Sequence, residues 1–203
     1  NRDELVALLQ RGEVDLSIMG RPPKEMATRA EPFAAHPHVF VVKPGHAILA
    51  IEHPPVSALA ELPLVVREPA SGTRSLMDRF FHDHHVQPHI AMEMSSNETL
   101  KQAVMAGMGL SFLSLHTLGL ELRCGLIEIV HVEHSPIVRT WNIVHMQSKI
   151  LSPAAEALRY FILEHGESYL AEHDRPWMKA LQVTASTTGT VPAADAATAP
   201  PGR

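Results

Sequence analysis

Apolar residues along this chain switch repeatedly between helical spacing and strand-type runs. Leu5, Leu8 and Leu9 sit about one helical turn apart, Gly12 closes that helix, and Val14, Leu16 and Ile18 alternate with Asp15 and Ser17. The pattern predicts helix, tight turn, strand. From Pro32 to Val42 the run His38-Val39-Phe40-Val41-Val42 is nearly continuous in apolar residues and is stopped by the turn signal Lys43-Pro44-Gly45, so a buried strand is expected. Ser57 to Leu62 makes one helical turn. Pro63 then leads into Leu64-Val65-Val66, a further strand that runs into Glu68-Pro69-Ala70-Ser71-Gly72-Thr73-Arg74.

The next helix carries Leu76, Met77, Phe80 and Phe81 on one side, and Ile90, Met92 and Met94 follow as an alternating strand. Ser95-Ser96-Asn97-Glu98 has the spacing of a capping box, with Ser95 as the structural cap and Glu98 as its reciprocal partner. Leu100, Val104 and Met108 give that helix its stripe, Gly107 and Gly109 end it, and Leu110-Ser111-Phe112-Leu113 reads as a strand. Met92, Met94, Met105 and Met108 all fall at core-facing positions and are expected to fill gaps there. A short helix over Leu115 to Arg123, a strand over Leu126 to Val130 and an alternating strand from Arg139 to Met146 complete this part. Ser152-Pro153 starts a last helix, cap followed by proline at the first turn, which continues over Ala154 to Glu164 and ends at Gly166. From about Met178 the composition collapses to Ala, Thr, Pro, Ser and Gly, and residues 178–203 are expected to be disordered.

Strands alternating with helices argue an α/β architecture with parallel sheets. Composition narrows the function classes. A net charge of −5 lacks the basic footprint that nucleic-acid phosphates demand, so any DNA contact falls to another segment. The single cysteine, Cys124, forms no internal disulfide and fits a reducing, cytoplasmic setting. No apolar run approaches the roughly 20 residues that span a bilayer, so no membrane partner is expected. The cluster His82-Asp83-His84-His85 places two imidazoles on one helix face but has no third ligand in pattern, so neither metal nor cofactor is expected. No matched acid-base pair, nucleophile elbow or phosphate loop points to an enzyme.

Three stretches together resemble the regulatory domain of LysR-type transcriptional regulators. They are the opening helix with Val14-Asp15-Leu16-Ser17-Ile18, the run from Met94 to Leu110 ending in Gly107-Met108-Gly109-Leu110, and Leu151-Ser152-Pro153-Ala154-Ala155 at the last helix. Ile18-Met19-Gly20-Arg21-Pro22-Pro23 is similar to the subgroup that controls operons for ribulose-bisphosphate carboxylase and the Calvin cycle. The resemblance implies two Rossmann-like subdomains of the type II periplasmic-binding-protein kind, joined by two crossover strands, with an effector cleft between them. It also implies a homo-oligomer, dimer or tetramer, that meets promoter DNA through an absent N-terminal winged helix-turn-helix. The family's domain opens with a strand ahead of the first helix, and this chain is expected to lack it. Strand types and turn signals place one lobe at residues 1–63 with 140–175 and the other at 64–139, with hinge strands near Leu64 and Thr140. An exported solute-binding protein on the same fold is the alternative.

Ligands of open α/β sheets bind beyond the carboxyl ends of strands, where helix N-termini present free amides and a positive dipole end. Ser71, Gly72, Thr73 and Arg74 form one such start, and Ser96 with Asn97 forms a second. Arg21, after the strand ending at Met19, is placed to bring a cation across the gap. A small anionic metabolite, phosphorylated in the resembled subgroup, is the expected effector.

Overall fold

A computed structural model describes residues 1–181 of the chain. Helix α1 (Arg2–Gln10) is capped by the Asn1 side chain, carries Asp3 and Glu4 where the helix dipole favours negative charge, and buries Val6 and Leu9. Strand β1 (Ser17–Met19) follows. Its phase is opposite to the expected one: Ser17 and Met19 are buried and Ile18 is 45% exposed. Pairing with the last strand sets this register, and a one-residue shift turns every side chain over.

Two long strands link the halves. β2 (Thr28–Val42) and β7 (Ile137–Met146) pair antiparallel from Thr28 opposite Met146 to His38 opposite Ile137, and β1 lies on the far side of β7. A bulge between Pro32 and Ala34 accommodates a residue that has no amide to donate. From His38 onward β2 pairs with β5 (Ser111–Ser114), and at Phe40 to Val42 with β6 (Glu128–Val130) on its other side. β3 (Pro63–Arg67) and β4 (His89–Met94) are parallel, and the Val65 and Leu110 amides tie β3 to the chain entering β5. Gly109 permits that approach, because a Cβ there would stand 2.3 Å from the Pro63 carbonyl oxygen. The crossing strands thus make the first sheet antiparallel, and the parallel pairing expected from βα alternation is confined to β3 with its two neighbours.

The continuous apolar run of β2 feeds two cores because the strand is covered on both faces. Phe40 and Val42 pack with Val56, Leu59, Leu64, Val66 and, from α2 (Gly72–Asp83), Leu76, Met77, Phe80 and Phe81. Val39 and Val41 pack with Val65, Leu113, Leu115 and Leu118, and with Leu100 and Val104 of α3 (Asn97–Met105). A short helix α4 (Gly119–Arg123) follows. The other lobe holds a smaller cluster of Leu9, Met19 and Val144.

Four expectations need correction. The boundary between residues 63 and 64 cuts through a packed unit, since Val56 and Leu59 share a core with Leu64; the first crossing strand is β2, near His38, and the second is β7, which contains Thr140. Met92 and Met108 are 41% and 48% exposed: Met92 lies on β4, which takes the outer edge of its sheet, and Met108 lies in the turn between α3 and β5. Helix α5 (Pro153–Ala180) runs straight through Gly166; that glycine lies against Phe33, where a Cβ would meet the ring at 2.7 Å, so it serves close packing of helix on strand. The end of α5 delivers Met178 and Leu181 into the second lobe's core, so the tail expected to be disordered from residue 178 begins with packed side chains. Residues 182–203 lie outside the described part.

Candidate functional site

Where the chain crosses between lobes, a cleft of about 190 Å³ is lined by Gly20 and Arg21 beyond β1, His36 and His38 of β2, Arg67 of β3, Ser71, Gly72 and Thr73 opening α2, and Arg139 and Trp141 of β7. Four residues expected from the sequence, Arg21, Ser71, Gly72 and Thr73, meet in this cleft. Arg74, Ser96 and Asn97 do not line it.

The α2 start is built tightly. Ser71 is buried and its hydroxyl accepts from the Thr73 amide at 3.2 Å, while the Ser75 amide donates to the Ser71 carbonyl at 3.1 Å. Gly72 has open space beside its α-carbon, so the first turn of a twelve-residue helix presents backbone to the cleft. Arg74 is turned away and braced: it donates to Asp78, to Glu93 and to the Arg67 carbonyl, all at 2.9 Å. Its guanidinium is spent on holding α2 against the β3–β4 pair.

The second start is built differently from the expected capping box. Ser96, not Ser95, is the cap residue of α3, and its side chain makes no capping bond. Glu98 instead pairs with Lys101 at 2.9 Å. Asn97 lies one shell behind the cleft, accepting a hydrogen bond from Arg67 through its side-chain oxygen. Arg67 also forks onto Glu68 at 2.8 and 3.0 Å, so its charge is matched. Burial alone would raise the Glu68 carboxyl, but the Arg67 fork outweighs it and holds the group below its usual range.

Arg21 and Arg139 behave otherwise. Among the described residues neither has a carboxylate or a hydrogen-bond partner; Arg139 is half-buried and Arg21 is exposed. Burial first, then the positive charges of Arg21 and Arg79, lowers the proton affinity of Arg139. A guanidinium does not shed its proton in the physiological range, so Arg139 stays charged where burial and two like charges disfavour it and, among the described residues, no carboxylate offsets them. The cleft is therefore polarised to receive an anion.

The two histidines add no charge. His36 stacks on Trp141 with ring centres 3.7 Å apart, and His38 stacks on Phe112 at 5.5 Å. Burial, with the Arg139 charge second, pushes the His38 imidazole down to about 3, and burial with the neighbouring His38, His116 and Arg139 pushes His36 lower still. Both are neutral in the folded chain at neutral pH.

Sequence reading missed His36, His38, Arg67, Arg139 and Trp141. The available signal was two alternate-position pairs, His36 with His38 and Arg139 with Trp141. That these share a face becomes visible only from the register that sets His36 opposite Arg139. In the cluster His82 to His85, the His84 Nδ1–H donates to the Phe80 carbonyl at 2.7 Å, and among the described residues no three His, Cys, Asp or Glu side chains could hold a metal ion. No helix among them is long and apolar enough to cross a membrane.

Comparison with known proteins places this geometry. The chain is 49% identical over 170 residues to the HTH-type transcriptional regulator CfxR of Cupriavidus necator, an alignment covering 84% of this chain and 54% of that protein. It is 42% identical over 163 residues to the RuBisCO operon transcriptional regulator of Allochromatium vinosum, covering 80% and 54%. The chain thus spans about half the length of the curated relatives it matches. Among solved structures it resembles the regulatory domain of Synechocystis PCC6803 CcmR in complex with 2-PG, with a TM-score of 0.77 and 32% identity over 81% of this chain and 79% of that one. The sequence model of the LysR substrate binding domain matches residues 1–167, and the chain belongs to that family.

Proposed function

We propose that the cleft binds a small metabolite carrying a phosphate or carboxylate, and that the chain is the sensing part of a cytoplasmic transcriptional regulator of carbon-fixation genes. The single observation that carries the reading is the pair Arg21 and Arg139, two guanidinium groups without partners that face the open amide end of α2 across one cleft. Arg139 is half-buried, and a half-buried charge is costly unless matched; an anionic ligand would match it, with the exposed Arg21 adding a second cation at the cleft mouth. The Synechocystis relative, solved with 2-PG, supports the ligand class, and the relatives' names support the process.

On this reading the Gly72 amide and the Ser71 and Thr73 hydroxyls hold the anion, and Arg21 closes on it from the opposite side. Ligand bound across β2 and β7 favours one mutual arrangement of the lobes by its differential affinity for that arrangement. A homo-oligomer would carry the change to promoter DNA through a domain outside this chain.

Calorimetric titration with 2-PG and with inorganic phosphate tests the reading. Arg139→Ala should weaken binding of 2-PG at least tenfold, the equivalent of about 1.5–3 kcal/mol for a charge-assisted hydrogen bond. Binding that is unchanged in both Arg139→Ala and Arg21→Ala would move the ligand out of this cleft.

A further inference from the structure

The geometry points to one more ligand contact in the cleft: His36, as a neutral imidazole whose Nδ1–H donates to the bound anion, with its tautomer set by Ser114. The inference rests on the anion-binding reading of the cleft and adds a donor to it.

His36 is only 5% exposed, yet it lines the cleft. Its Nε2 lies 2.9 Å from the Ser114 hydroxyl, and its Nδ1 is buried with no partner. The Ser114 hydroxyl has no other hydrogen-bond partner among the described residues. If Ser114 accepted from Nε2, its own proton and a bare Nδ1 would both be left unsatisfied. If Ser114 donates to Nε2, one group alone is left over, the Nδ1–H. The second arrangement is the better satisfied one, and it puts the ring proton on Nδ1.

What covers that proton is the Gly20 turn. Nδ1 sits beneath Gly20, where even a Cβ would approach to 2.9 Å, and Gly20 belongs to the turn that carries Arg21. On the paired strands His36 stands directly opposite Arg139, so donor and guanidinium come from one cross-strand pair. The ring is clamped flat against Trp141 and cannot turn Nδ1 to another acceptor. The charged and titratable groups around it, His38, His116 and Arg139, all oppose a second proton on the ring, which keeps it a neutral donor. A buried donor left unpaired disfavours the unliganded arrangement, and an anion seated between Arg21 and Arg139 with the Gly20 turn displaced would relieve it. The contact therefore differs between the two states, which is what a sensing domain needs.

Two measurements on the 203-residue chain decide the matter. Nitrogen–proton correlation spectra of labelled histidine should show His36 protonated at Nδ1 and bare at Nε2 without ligand, with the Nδ1–H resonance moving when 2-PG is added. A proton on Nε2 would overturn the assignment, and this readout needs no variant. In calorimetry His36→Gln, whose amide reaches the place of Nε2, should weaken 2-PG binding about tenfold, whereas His36→Asn, whose amide takes the place of Nδ1, should stay within about threefold. Equal losses in both variants would reduce His36 to a packing role. If Arg139→Ala abolishes binding while His36→Gln leaves it intact, this contact fails and the anion cleft stands; a wild-type chain that binds neither 2-PG nor inorganic phosphate would take both down.

Discussion

β3 and β4 are neighbours in one parallel pair, and each runs into a serine-led helix start, yet the two starts have different fates. At the end of β3 the cap serine is buried, its hydroxyl holds the Thr73 amide, and the first turn of α2 lines the cleft. At the end of β4 the cap serine is exposed and makes no capping bond, and Asn97 serves to steady Arg67 from behind. The local sequences are alike in chemistry. What separates them is position in the sheet: β3 lies next to β5, hence one strand closer to the crossing strands, whereas β4 is the edge. A helix start lines the cleft when the strand feeding it runs beside the place where the chain changes lobes.

The comparison is broken most directly in the strands themselves. Leu64, fully buried in β3, and Met92, 41% exposed in β4, occupy similar apolar positions in the sequence. Leu64→Ala should cost about 3 kcal/mol in denaturant unfolding, and Met92→Ala should stay within about 0.5 kcal/mol. Equal costs would mean that β4 is as deeply covered as β3.

Acid gives the next largest effect, and it is confined to the cleft side. The His38 imidazole titrates near 6.5 when unfolded and at about 3 when folded, so the unfolded chain takes up the extra proton between those values. Stability from this group is therefore unaffected above pH 6.5 and falls as pH drops below it, by up to about 2 kcal/mol at pH 5. His36, shifted in the same direction for the same reason, adds to the loss. Thermal unfolding of wild type and His38→Leu across pH 5 to 8 should show a shallower slope in the variant; parallel slopes would remove His38 from the account.

The caps give the finest discrimination. Ser71→Ala should cost about 1 kcal/mol of stability, because the Thr73 amide loses its acceptor. Ser96→Ala should cost no more than a few tenths, since no capping bond is lost. Denaturant midpoints of the two variants check this, and a reversed order would overturn the contrast between the two starts.

Much of the fold was legible because these signals are local. The run Val39 to Val42, the stripe Leu76, Met77, Phe80 and Phe81, and the Ser152-Pro153 cap all appear where periodicity and capping chemistry put them. Gly166 misled because a glycine that ends a helix and a glycine that lets a helix touch Phe33 look identical in one dimension. Half of the cleft was legible for the same reason, through Arg21 and the Ser71 to Thr73 turn. The other half comes from β2 and β7, whose His36 and Arg139 are separated by about a hundred residues and meet only through pairing register.

The amino-acid sequence by itself determined the elements, the α/β class and the polar helix start that a ligand would use, because each depends on spacings of a few residues. Tertiary structure alone decided which strand crosses between lobes, which of two similar helix starts faces the cleft, and which arginines are left without partners. Those outcomes depend on burial and on contacts between distant segments, and a guanidinium is free or paired only by virtue of what the fold brings beside it.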